Sequence, residues 1–166
     1  MSQPVMRELV TGKGAHADAL ACVEGIPLAK AGETVARFPQ TIYGLVWHAA
    51  YWMDYEVQRT QGKAPRYPDH AEASWPETAA PRDEAEWKAT VAWFREGIEA
   101  LLALADLPPA ETARRVERTH DSSNQGDNVA DIVWQTLVHN SYHVGQIVLL
   151  RQALGAWPPP AGRDAW

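Results

Sequence analysis

Apolar residues recur at spacings of three and four along four segments of the chain, and no segment alternates between apolar and polar as a strand would. This pattern predicts an all-α fold. The expected helices cover residues 5–23, 41–62, 83–102 and 129–155.

Local signals support most of these boundaries. Thr41 suits an N-cap, and Asp83 with Glu86 has the spacing of a capping box at the start of the third helix. Three consecutive prolines at 158–160 forbid continuation of the fourth helix. Gly12 and Gly14 weaken the first helix, since each glycine costs about 1 kcal/mol relative to alanine.

Four amphipathic helices of this length predict a four-helix bundle, in which sites are built from side chains on facing helices. Long connections follow the second and third helices, at 61–82 and 108–128, and the latter has room for a short hairpin or an ordered loop. We expect a single domain over residues 1–156 and a Pro-rich tail over 157–166.

The composition and net charge of the chain exclude several classes of function. The net charge of −6 argues against nucleic acid or an anionic membrane surface as the main partner. A single cysteine, Cys22, excludes an internal disulfide and fits a reducing compartment; we expect it to be a buried bystander. The start of the chain does not resemble a signal peptide, and the longest apolar stretch, 42–53, is too short to span a bilayer. These observations predict a soluble, cytoplasmic protein.

The most informative residues are three histidines. His139 and His143 are four residues apart, so both lie on one face of the fourth helix. His48 occupies an otherwise apolar stripe of the second helix. Burying an unpaired imidazole costs on the order of 1–3 kcal/mol, and coordination of one cation would explain all three. Three protein ligands leave a position for water or substrate, which favours a catalytic site over a structural one.

Other residues are candidates for supporting roles. Gln146, one turn beyond His143, could orient a ligand histidine, although a hydrogen bond in helix packing is an equal alternative. The remaining candidates to contact the histidines or line a cavity, each with a core or surface alternative, are Tyr142, Trp52, Asp54, Tyr55 and His16. His70 and His120 are expected to be solvated. The polar run 121–127 lacks the acidic twelfth residue of a calcium loop, so we interpret it as a turn and cap.

The segments LVWHAAYW at 45–52 and HNSYHVGQ at 139–146 resemble the DinB-like family, also called the YfiT-like metal-dependent hydrolases. The resemblance extends over nearly the whole chain. It implies an up-down-down-up or related four-helix bundle, often dimeric, with a divalent metal such as zinc or nickel held by His48, His139 and His143. Some members of that family activate a low-molecular-weight thiol such as bacillithiol or mycothiol.

Our leading hypothesis is therefore a metal-dependent enzyme, a thiol S-transferase or hydrolase, that acts on a small molecule at an open three-histidine site, in a homodimer. One alternative is a non-catalytic, metal-binding dimer that serves in a stress response or in protein interaction. Another is a binder of hydrophobic small molecules in which the histidines only line the cavity. Neither nucleic acid nor a membrane is an expected partner.

Overall fold

The computed structural model describes residues 3–120 and 126–162. The described residues form an all-α structure, and their only β-type pairing is an isolated antiparallel bridge between Arg115 and Asn128. The helices are α1 (Gln3–Thr11), α2 (Ala19–Val23), α3 (Leu28–Ala31), α4 (Ile42–Thr60), α5 (Glu84–Ala105), α6 (Pro109–Thr112) and α7 (Val129–Ala153), with a 3-10 helix at Ala71–Ser74.

The prediction of one helix over residues 5–23 is wrong. Gly12 and Gly14 adopt φ values of 95° and 75°, which lie in the left-handed region, so the chain leaves the helix after Thr11. The Asp18 side chain then accepts a hydrogen bond from the Ala21 N–H at 2.8 Å and starts α2. The two glycines therefore divide the segment instead of only weakening it.

The other three long helices match their predictions closely. Thr41 and Asp83 are N-caps, accepting from the N–H groups of Gly44 at 3.1 Å and Glu86 at 2.8 Å. Asn128 caps α7 by accepting from the Asp131 N–H at 3.0 Å. Predicted and observed N-terminal ends differ by at most one residue, and the C-terminal ends differ by two or three, as is usual where the last turn of a helix frays.

These helices pack around one apolar core. α4 packs against α5 and α7, while α1 contacts α5 and α7, and α2 contacts α7. The buried large side chains come from all three long helices: Ile42, Leu45, Met53, Phe94, Ile98, Leu101, Ile132, Ile147 and Leu150. None of the described helices is both long and apolar enough to cross a bilayer.

A buried arginine attaches the N-terminal segment to α7. Arg151 is 1% exposed, and its Nη1 donates to the carbonyl oxygens of Cys22 at 2.7 Å and Glu24 at 3.0 Å. Its Nε donates to the Ala156 carbonyl at 2.9 Å. Burial raises the pKa of the adjacent Cys22 thiol to about 12, so this cysteine stays protonated and unreactive at neutral pH.

Both long connections contain ordered structure. The 61–82 connection holds the 3-10 helix and brings Ser74 and Trp75 against α4. The 108–128 connection contains α6 and the isolated Arg115–Asn128 bridge; whether it forms a hairpin stays a prediction, because residues 121–125 of the predicted turn at 121–127 lie outside the described residues. The division into a domain over 1–156 and a tail over 157–166 stays a prediction, and residues 163–166 lie outside the described part.

Candidate metal centre

The structure brings the three predicted histidines together. α4 carries His48 and α7 carries His139 and His143, and one nitrogen of each lies within 4.8 Å of the other two. The His139 Nε2 atom is 3.2 Å from the Nε2 of His48 and 3.1 Å from that of His143. His48 and His143 are only 7% and 5% exposed, and His139 is half-buried.

The outer ring nitrogens of two histidines are held by oxygen acceptors. The Nδ1 of His48 lies 2.7 Å from the Ser74 carbonyl oxygen, and the Nδ1 of His143 lies 2.7 Å from Oε1 of Gln146. A carbonyl oxygen can only accept, so each Nδ1 carries the proton. The Nε2 lone pairs of these two rings therefore face the centre of the cluster. The contact between Gln146 and the His143 Nδ1 is compatible with an orienting role, which stays a prediction.

The spacing of the inner nitrogens fits a shared cation. The Nε2 of His139 could donate a proton to only one of the two neighbouring Nε2 lone pairs, at 3.1 and 3.2 Å, whereas a cation can accept from all three nitrogens. Two imidazole nitrogens at about 2.0–2.1 Å from one ion are separated by such a distance when the angle at the ion is about 100°. The donor set, three neutral imidazoles, suits zinc or nickel among other transition metals.

Burial keeps these imidazoles neutral. It lowers the pKa of His48 to about 4, against the opposing effect of the Ser74 hydrogen bond. It lowers the pKa of His139 to about 3, and the neighbouring His143 and His48 lower it further. The pKa of His143 is also lowered, again mainly by burial. Neutral imidazole is the form that binds a metal, so the site does not have to lose protons first at pH 7.

Aromatic side chains enclose the His48 side of the cluster. The Trp75 ring stacks on the His48 ring with centroids 3.8 Å apart, and it meets the His143 ring edge-on at 6.1 Å. The Trp52 ring meets His48 edge-on at 6.4 Å, and its role as a cavity residue stays a prediction. Sequence reasoning missed both Ser74 and Trp75, because they lie in a connection without periodicity and no spacing relates them to the histidines.

The remaining candidates occupy different positions. Tyr142 is 66% exposed, with its ring 5.2 Å from that of His143, so it lies at the outer edge of the cluster. The Tyr55 hydroxyl pairs with Thr119, and its ring packs on Trp52 instead of on a histidine. Asp54 accepts from Gln58 of its own helix at 2.8 Å. His16 Nδ1 contacts the Ala17 carbonyl in the turn after α1, and His16 is not part of the cluster.

The cluster consists of three side chains within the described part of the chain. There, no other histidine, cysteine, aspartate or glutamate reaches it. The buried side-chain amide of Asn140 lies beside His139, and a hydrogen bond from it opposes the lowering of the His139 pKa. Such an arrangement can hold a cation while leaving a coordination position that none of the described residues fills.

Comparison with known proteins identifies the family. No curated protein matches the chain, and no solved structure matches it. The model of the mycothiol-S-transferase family matches residues 13–156, a stretch that includes all three histidines, Gln146 and Trp75. This is a DinB/YfiT-like family, which confirms the resemblance inferred from the two histidine segments. With most of its 166 residues inside that match, the chain belongs to the mycothiol-S-transferase family.

Proposed function

We propose that this protein is a metal-dependent thiol S-transferase that joins a low-molecular-weight thiol to a small electrophile. His48, His139 and His143 would hold the cation, zinc or nickel, and the thiol suggested by the family's name is mycothiol. The observation that carries the proposal is the convergence of three imidazoles: the Nε2 of His139 lies 3.2 Å from that of His48 and 3.1 Å from that of His143, and two of the outer nitrogens are fixed by oxygen acceptors.

The chain's own residues prepare the site for this chemistry. A divalent cation at the three imidazoles would lower the pKa of a thiol, so that the nucleophilic thiolate is present at neutral pH. The Ser74 carbonyl and the Gln146 amide hold the rings of His48 and His143 in the orientation that points Nε2 inward. Trp75 covers the face of His48 and excludes water from that side.

Two observations favour this reading over the alternatives. A non-catalytic structural site is normally closed by a fourth protein ligand, and none is present within the described residues. The family's name concerns thiol transfer and not hydrolysis, so we place the hydrolase reading second. A pocket for hydrophobic ligands would not require three lone pairs to converge on one point.

We also propose a four-helix bundle, formed by the α1–α2 segment with α4, α5 and α7, in a cytoplasmic homodimer. The contacts of α1 and α2 with α5 and α7 support the bundle. An exposed apolar stripe on α7 supports the dimer. Its members, spaced so that they share one helix face, are Trp134, Val138, Tyr142 and Leu149.

The test measures metal content and thiol transfer on the same preparations. Metal-loaded protein is mixed with mycothiol and monochlorobimane; the sulfur bonds to the chloromethyl carbon, chloride leaves, and the thiol proton goes to solvent. We expect metal-dependent acceleration that is lost in a His139→Ala/His143→Ala variant, while a His70→Ala control keeps it. Full metal content in the double variant would overturn the ligand assignment. Metal binding without acceleration for mycothiol, bacillithiol, cysteine or glutathione would favour the non-catalytic reading.

A further inference from the structure

A concave, cationic cavity lies beside the aromatic residues of the metal centre. It has a volume of about 680 Å³ and is formed by the chain just after α4 and by the segment 114–120. Its walls carry six lysine or arginine side chains and only two carboxylates. The cationic residues are Arg59, Lys63, Arg66, Arg114, Arg115 and Arg118, and the acidic ones are Asp69 and Glu117.

This concentration of positive charge is unusual in a chain with a net charge of −6, because six of its fifteen lysine and arginine residues line one cavity. Four of them pair with carboxylates: Arg59 with Glu56, Arg66 with Asp69, Arg114 with Glu111 and Arg118 with Asp127. Lys63 is different: it is exposed and has no ion pair among the described residues. Arg115 is also exposed and forms no ion pair within the described part of the chain, although its charge helps to lower the pKa of Asp127.

The cavity wall is held in shape by a buried arginine. Arg59 is 2% exposed, and its Nη2 donates to the carbonyl oxygens of Glu117 at 3.0 Å and Gly126 at 3.1 Å. Its Nη1 pairs with Glu56 at 2.6 Å. These bonds fasten the 114–120 segment to α4, so the cationic wall exists before any ligand arrives. Preformed sites bind more tightly because less ordering accompanies binding.

The cavity also has an aromatic wall that continues toward the histidines. Tyr67 stacks on His120 with ring centroids 4.6 Å apart, and both residues line the cavity. Tyr67 also contacts the Trp52 ring, with centroids 5.7 Å apart, and Trp52 contacts the His48 ring at 6.4 Å. His120 is exposed, in agreement with the expectation that it is solvated, and its ring also extends this row of rings.

We propose that this cavity binds a small organic anion, whose carboxylate or phosphate oxygens pair with Lys63 and Arg115 and whose planar apolar part lies against Tyr67. The volume is within the range of about 300–1,000 Å³ that is usual for small-molecule sites. Charge-assisted hydrogen bonds to oxygen anions are the strong kind. The idea that this anion is the electrophilic co-substrate of the transferase rests on the proposed function. The existence of the anion-binding site does not depend on that function.

The experiment uses ¹⁹F NMR titration of the full chain with 4-fluorobenzoate, 4-fluorophenyl phosphate and the neutral 4-fluorobenzyl alcohol. We expect at least one anion to bind saturably and the alcohol to bind at least about tenfold more weakly. A Lys63→Glu/Arg115→Glu variant should lose about tenfold or more in anion affinity. A Lys88→Glu/Arg95→Glu variant changes the net charge equally on the exposed face of α5, and it should bind as the parent does.

No saturable binding of either anion below about 10 mM, or equal affinity in the two charge-reversal variants, would overturn the site. Thermal melts confirm that both variants are folded. Titration of the His139→Ala/His143→Ala variant separates the two proposals. Anion binding that persists there supports the cavity even if no thiol transfer is found, and thiol transfer without anion binding would remove the cavity alone.

Discussion

The Trp75 indole lies flat on the His48 imidazole, with ring centroids 3.8 Å apart and planes inclined by 9°. The residue before it, Ser74, accepts the His48 Nδ1 hydrogen bond through its carbonyl oxygen at 2.7 Å. One short stretch of the 61–82 connection thus fixes both the plane and the tautomer of a metal-ligand candidate on α4. The connection is therefore part of the site.

Removing the stacked ring should weaken metal binding. A Trp75→Ala variant loses the contact that fixes the His48 plane, and such aromatic pairs are worth about 0.5–1.5 kcal/mol. We expect the zinc dissociation constant to rise about two- to tenfold, measured by competition with a chromogenic chelator. Trp75→Phe should retain most of the affinity. Trp134→Ala, on the exposed face of α7, is the matched control, and an equal loss there would contradict the stacking role.

The Gln146 acceptor should matter in the same measurement. Gln146→Leu removes the oxygen that holds the His143 Nδ1 proton, and loss of such a partner typically costs about 10- to 100-fold in metal affinity. Gln146→Glu keeps an acceptor at the same reach and should restore binding. If Glu and Leu variants bind zinc equally, the hydrogen bond does not orient His143.

Acid should destabilise the metal-free protein through its histidines. The pKa values of His48 and His139 fall from about 6.5 in the unfolded chain to about 4 and about 3 in the folded one. Between these values the unfolded chain binds more protons, so stability rises with pH and is lost as pH falls from about 6.5 toward 3. Urea unfolding from pH 7.5 to 4.5 measures this. A His48→Gln/His139→Gln variant should show a shallower dependence, and His70→Gln should follow the parent; parallel curves for all three would contradict the expectation.

The buried Arg151 should be important for stability. Arg151→Met fills a similar volume but leaves the carbonyls of Cys22, Glu24 and Ala156 without their donor. Each unsatisfied buried group costs roughly 1–3 kcal/mol, so we expect a loss of about 2–5 kcal/mol in the free energy of unfolding. Arg95→Met, on the exposed side of α5, should change stability by less than about 0.5 kcal/mol. Similar urea midpoints for the two variants would show that Arg151 is dispensable.

The apolar stripe of α7 gives the dimer proposal a direct test. A Trp134→Glu/Leu149→Glu variant places two charges on this face, and burying them in an interface without partners is unfavourable. Light scattering coupled to size-exclusion chromatography should show a dimer for the parent and a monomer for the variant. A Glu96→Gln/Glu99→Gln variant, changed on the exposed face of α5, is the control and should remain a dimer. A parent that is monomeric at all concentrations removes the dimer from the proposal.

Local sequence was sufficient for much of the fold. The caps at Thr41 and Asp83 and the three long helices depend on neighbouring residues and on a 3.6-residue period, both readable without a structure. The prediction of a single helix over 5–23 was wrong because it took into account the energetic cost of glycine in a helix but not the backbone angles that glycine permits. At Gly12 and Gly14 the backbone takes a positive φ that no α-helix tolerates.

By itself, the sequence determined that His139 and His143 share a helix face and that His48 lies on an apolar stripe, since helical spacing fixes both. Only the tertiary structure decided that their Nε2 atoms meet at 3.1–3.2 Å, that Ser74 and Trp75 orient His48, and that basic side chains from two distant segments line one cavity. The reason is physical. Periodicity describes which way a side chain leaves its own helix, whereas these contacts join residues far apart in sequence, whose placement depends on how the whole chain packs.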